Sequence, residues 1–224
     1  MTFNFEKEPH RLLILLILGD LALIVIHILH STHTINILSS PRFSISKDFG
    51  FAEVYGYAKE FWIMGTLFVF ALEAKKKQLV YIAWSLLFLY LLLDDSIQIH
   101  EKLGEYLIDY FQLQPMYNLR AQDFGEIIVT LFFGLSLFSF IGVAYLFSDD
   151  TAKRVSQHLF VLILSLVFFG VIVDIAHEAI AWGKEFWRVV EDGGELIILS
   201  IIVWYVLKLK IGSQEQIPLV DSKG

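Results

Sequence analysis

The sequence predicts an all-α polytopic integral membrane protein, a bundle of six transmembrane helices forming one domain over residues 1–210. Three observations carry this. The 224 residues are 56% hydrophobic and only 18% charged, below the roughly 25% charge of soluble domains. Six stretches each supply the ~20 predominantly apolar residues that a helix needs to cross a bilayer. None of the six alternates with the period of a strand, and helices satisfy their own backbone groups in lipid.

The expected helices run over about 11–30, 52–73, 79–100, 123–147, 156–180 and 190–210. The first has no small-residue cleavage signal after it and reads as a retained span. It carries Asp20 in mid-run, with His27 on the same face and His30 at its end. The second offers Glu53, Tyr57 and Glu60. In the third, Asp94, Gln98, Glu101 and Glu105 form one line at helical spacing. His100 projects roughly 120° away from Asp94 by the 3.6-residue period. The fourth opens with Asp123 and Glu126 at i,i+3. The fifth ends in Asp174, His177 and Glu178. The sixth begins with Glu191 and Asp192, and Glu195 lies a turn deeper. Residues 211–224 form a polar tail.

Orientation follows from the basic residues. Lys75, Lys76 and Lys77 crowd a very short loop, and Lys7, Arg11, Lys153, Arg154, Lys208 and Lys210 fall on its side. Both termini are therefore expected to be cytoplasmic, in a bacterial plasma (inner) membrane. The acids concentrate at the opposite side. Helices 3 and 5 carry them at their ends and helices 2, 4 and 6 at their beginnings, so alternating direction brings all five ends to the outer face.

Snorkelling and the helix dipole account for acids such as Asp109, Glu185 and Glu105. They do not account for Asp94 and Asp174. Each lies roughly 22–25 Å along an apolar helix at ~1.5 Å per residue. A lone carboxylate at such depth costs roughly 2.5–3.5 kcal/mol on insertion scales. A divalent cation is the simplest compensation. The ligands expected are Asp94, Glu101, Glu126, Asp174, His177 and Glu195, with His100 flanking. Glu178 or Glu191 is the expected base. An oxygen-rich set with imidazole and no cysteine suits Fe, Mn or Zn, with Ca or Mg as further options, in a mononuclear or dinuclear centre.

Inward carboxylates with the D-x-x-H of Asp174 and His177 resemble the site logic of the di-iron carboxylate bundles. Those bundles carry two E-x-x-H motifs, whereas this chain has a single D-x-x-H. The chain also resembles, at a distance, the adiponectin-receptor and alkaline-ceramidase membrane hydrolases. That resemblance implies a zinc site near one membrane face. The chain departs from them in having six expected helices and no H-x-x-x-H.

The functional expectation is a membrane metalloenzyme acting on a lipid-like or apolar substrate by hydrolysis or oxidation. Arg120, Lys184 and Arg188 would hold an anionic headgroup. The alternatives are a proton- or cation-coupled transporter, with Asp20 extending the polar path, and a non-catalytic cation-binding subunit. The partner expected in every case is the lipid bilayer. A net charge of −7 and the lack of a long basic run exclude nucleic acid.

Overall fold

The structure, a computed structural model, describes residues 8–74, 79–115, 120–180 and 182–214, and leaves the side chains of 8, 9, 123, 175, 178, 179 and 210–214 undescribed. The Lys75–Lys77 loop, the Asp123 and Glu178 side chains and the end of the tail therefore lie outside the described residues. The chain is all-α. Its helices are α1 (Glu8–Ser31), α2 (Phe51–Glu73), α3 (Leu79–Ile97), α4 (Ile99–Phe111), α5 (Ala121–Leu146), α6 (Asp150–Val167), α7 (Asp174–Ala179) and α8 (Lys184–Gln214). Two short 3-10 turns, Asn36–Leu38 and Pro41–Phe43, link α1 to α2, and a π-helical turn, Phe168–Val173, joins α6 to α7.

Among the described residues, four helical stretches are long and apolar enough to cross a membrane: His10–Ser31, Leu79–Ile97, Phe124–Leu146 and Asp150–Val173. Their outward surfaces are those expected of lipid-facing helices. On α1 the side chains of Ile14, Leu15, Leu18, Leu21, Val25 and Ile28 are all exposed. The expected second and sixth spans fall on α2 and α8 and lie outside this set. Lys59 and Glu60 interrupt α2 near its middle, and Glu191, Asp192 and Glu195 crowd the first half of α8.

The chain divides into two compact units. One comprises residues 1–66 and 157–224, the other residues 67–156.

In the first unit α1 packs along α8, and the π-turn packs against α8. Two glycines permit the second contact. A Cβ at Gly170 would overlap the Glu195 carboxylate, and one at Gly194 would overlap the Phe169 ring. Ile63, Leu159, Ile202, Val203 and Val206 are buried. A smaller cluster of Ile45, Ala52 and Leu196 gathers Leu23, Ile24 and Tyr55 around it. Toward the far end of α8, His158 bonds the Tyr205 hydroxyl at 2.8 Å, and the Lys208 ammonium lies 5.0 Å over the Trp204 ring. That combination of amphipathic rings and a cation suits a membrane–water interface.

One buried polar cluster in this unit is fully paired. Lys59 donates to Asp20 and to the Leu196 carbonyl at 2.9 Å. Ser200 donates to the other oxygen of Asp20 at 2.6 Å, and the Tyr55 ring lies 4.2 Å under the Lys59 ammonium. Asp20 and Lys59 are 0% and 2% exposed, so the charges are compensated inside the unit and not by water. Lys59 is thus an interior residue.

In the second unit α4 folds back against α5 at a contact between Gly104 and Gly125. A Cβ at Gly125 would lie 2.5 Å from the Gly104 carbonyl oxygen. Trp84 is fully buried and donates its indole N–H to Ser156 at 2.8 Å. Tyr90 stacks on Phe133 with ring centroids 4.7 Å apart.

Candidate metal centre

Asp174, His177 and Glu191 converge. Each offers one ligand atom, and these atoms all lie within 4.8 Å of one another. Asp174 and His177 come from α7, where i,i+3 spacing sets them on one face. Glu191 comes from the second turn of α8. The His177 Nδ1 and the Glu191 Oε2 are 2.8 Å apart. The Asp174 carboxylate lies within hydrogen-bonding reach of Glu191. His177 and Glu191 are only 14% and 18% exposed, so water does little to separate the two carboxylates. Two acids held together in a poorly solvated place need a shared proton or a cation.

The π-turn sets this geometry. A turn with i→i+5 bonding adds a residue to the helix and rotates everything after it, and such bulges concentrate at functional sites. The turn ends at Val173, directly before Asp174. Depth favoured Glu195 over Glu191 as the α8 ligand, since Glu195 lies a turn farther along the helix. The structure brings Glu191 into the group and sets Glu195 against Gly170 in the π-turn. The added residue turns Asp174 and His177 toward the beginning of α8. Glu178 shares α7, but its side chain is outside the described residues.

Further charges border the group. Asp192 feels the fields of Glu191, Asp174, Glu53 and Arg188. Arg188, expected to hold a headgroup, pairs with Glu185 at 2.5 Å. Glu185 in turn lies 3.4 Å from the Nε2 of His27. The Nδ1 of that imidazole accepts the Ile45 amide at 3.2 Å, which leaves the proton of the neutral ring on Nε2. Lys184 and Arg120 are exposed.

Asp94, His100, Glu101 and Glu126 belong to the second unit. Asp94 is 8% exposed. Its Oδ1 accepts the His100 amide at 2.8 Å, and its Oδ2 lies 2.9 Å from the His100 Nδ1. The expectation that His100 turns away from Asp94 is corrected here. It assumed an unbroken helix, but Gln98 adopts φ 54°, ψ 55°. This left-handed residue ends α3 and starts α4 in a new direction, and the new direction delivers His100 to Asp94. The line from Asp94 through Glu101 to Glu105 is broken by the same turn. The Asp94 carboxylate, aided by Glu126 and Glu101, holds the His100 imidazole above the usual histidine range against the opposing effect of burial. Glu126 accepts a bond from Gln122 at 2.8 Å.

Three features escaped sequence reasoning: the Gln98 break, the π-turn, and the pairing of Asp20 with Lys59. Only the last left a signal. An acid and a base, each inside an otherwise apolar segment, are each too costly to be buried alone.

Residues 14–210 match the model of a family described as a domain of unknown function (DUF8692), and the chain belongs to that family. No curated protein and no solved structure matches it.

Proposed function

We propose that this member of the family is a membrane-embedded metalloenzyme whose centre is held by Asp174, His177 and Glu191. The observation that supports it is the convergence of three ligand atoms from two helices within 4.8 Å, in a chain whose neighbouring helices are apolar enough to cross a membrane. One imidazole and two carboxylates favour Mn, Fe or Zn over Ca or Mg, which take oxygen alone. Three protein ligands leave coordination positions open for a reactant, the usual difference between catalytic and structural metal sites. A bound ion would supply Lewis acidity and a water acidified toward neutral pH or, if iron, a route to oxidation.

The chain's own residues divide the remaining work. Asp174 and Glu191 bring the negative charge that attracts a cation. His177 adds the nitrogen donor and fixes its ring through whichever group its second nitrogen meets. Asp192 and Arg188 set the local field, and the exposed Lys184 is the proposed contact for an anionic headgroup, with Arg188 beside it held by Glu185. Glu178, next to His177, is the candidate base. The substrate proposed is lipid-like, a reading supported by the apolar stretch Asp150–Val173 that leads directly into Asp174. In this reading six helices cross a bacterial plasma membrane with both termini cytoplasmic. Reporter fusions at Ser148 and Gly224 should then both behave as cytoplasmic, and an external signal from either would reverse the topology.

Elemental analysis of protein purified without chelator tests the centre. Near-stoichiometric transition metal is expected in the wild type, with loss in His177→Ala and Glu191→Gln. A folded wild type without metal, and unable to take it up, would end the reading.

A further inference from the structure

A second feature of the first unit lies apart from the metal ligands. A cavity of about 240 Å³ is lined by Leu23 and Ile26 of α1, Phe43 of the 3-10 turn, and Phe51 and Ala52 at the start of α2. We propose that this cavity holds a segment of one acyl chain of an anionic membrane lipid, with the lipid phosphate over Arg42 and Lys47. The proposal goes beyond the metal reading and stands without it.

Three arguments select this occupant. The first is position. Leu23 and Ile26 lie on a stretch apolar enough to cross a membrane, roughly 8–12 Å along the helix from Ser31 at ~1.5 Å per residue. Acyl chains are the solvent at that depth. The second is size and lining. The five lining side chains carry no polar group. The volume falls below the roughly 300–1,000 Å³ of sites for drug-sized ligands, so it suits a segment of a single acyl chain and is too small for a peptide helix. Phe43 and Phe51 set its wall, with rings 5.1 Å apart.

The third argument is charge. The backbones of Arg42 and Lys47 meet at Gly50, directly before Phe51. A Cβ on Gly50 would lie 2.6 Å from the Lys47 carbonyl oxygen and 3.2 Å from that of Arg42, and the Gly50 amide bonds Lys47 at 2.7 Å. The loop is thereby closed, with two exposed cationic side chains beside the cavity wall. The acids nearby are Glu53 and Asp48, and Glu53 shares the field of Lys47. Glu53 is half-buried and accepts the Phe49 amide, so the exposed charges of the loop are Arg42 and Lys47 against Asp48. Juxtamembrane Lys and Arg attract anionic lipid in this way.

The test uses the full-length protein in vesicles of phosphatidylcholine containing either phosphatidylglycerol or phosphatidylcholine with a photoreactive acyl chain. After illumination, adducts are mapped by peptide mass spectrometry. Adducts should concentrate on Leu23, Ile26, Phe43, Phe51 and Ala52, and the phosphatidylglycerol probe should label severalfold more. Leu23→Trp, at a half-buried position, and independently Ala52→Phe should remove most of this labelling while bound metal stays unchanged. Arg42→Glu with Lys47→Glu, both on the surface, should abolish the preference for phosphatidylglycerol. The proposal is overturned by labelling spread evenly over the exposed face of α1, by labelling that survives both filling variants, or by equal labelling from the two probes in the wild type.

Discussion

Lys59 of α2 donates a hydrogen bond to Asp20 of α1, and neither side chain reaches the surface. Ser200 of α8 holds the second Asp20 oxygen, and the Leu196 carbonyl of the same helix holds Lys59. Three helices are thus fixed in register by one charge pair. Removing one partner leaves the other charge uncompensated, at a cost of roughly 3–5 kcal/mol. Asp20→Asn and Lys59→Met should each lower the denaturation midpoint in detergent strongly. The double variant should recover most of the loss. Single variants as stable as the wild type would mean that water reaches the pair.

Asp174→Ala removes one of two carboxylates that repel each other when no cation lies between them. It should abolish bound metal, yet melt at or above the wild-type temperature in chelator. The wild type should lose melting temperature on chelation and the variant should not respond. Equal losses for both proteins, with and without chelator, would make Asp174 purely structural.

Gly194→Ala places a methyl group inside the Phe169 ring and should push the π-turn off α8. Overpacking of this kind costs roughly 1–3 kcal/mol, and metal affinity should fall with it. Gly193→Ala is the control. Its methyl meets the flexible tip of Ile24 at 3.1 Å and should be mild in both measurements. Equal effects from the two substitutions would remove the argument for a tight π-turn contact.

His100 makes one separable contribution to the pH dependence. Its folded pKa is raised, first by the bond to Asp94. The protonated pair therefore contributes stability that is fully present below the unfolded value of about 6.5. That stability fades as pH rises through the raised folded value. His100→Asn should flatten this part of a melting-temperature profile taken from about pH 6 to 9. A wild-type profile already flat there would show that the pair is not charged.

The helical class was legible because apolar stretches of bilayer length admit few other folds, and four such stretches are present among the described residues. Asp174 and His177 were legible as partners because i,i+3 spacing survives within a single short helix. Glu191 was harder to rank against Glu195, since the answer depends on a π-turn that hydrophobic periodicity does not encode. His100 was misplaced for a related reason. Periodicity extrapolates a helix through Gln98, and one left-handed residue redirects everything after it. The burial of Lys59 was not legible, since its charge alone argues for an interface, while its long apolar stem and Asp20 together permit burial.

The π-turn differs from an ordinary stretch of helix by one residue's worth of chain. Deleting Ile172, on its exposed side, would let the segment from Asp150 to Ala179 relax into uninterrupted α-helix. Asp174 and His177 would then rotate by about 100° away from Glu191, while the apolar length of the helix would hardly change. Assembly of the three ligands and insertion of the chain into a membrane are thus separable properties. A one-codon deletion should yield a protein that still inserts but has nowhere to gather a cation.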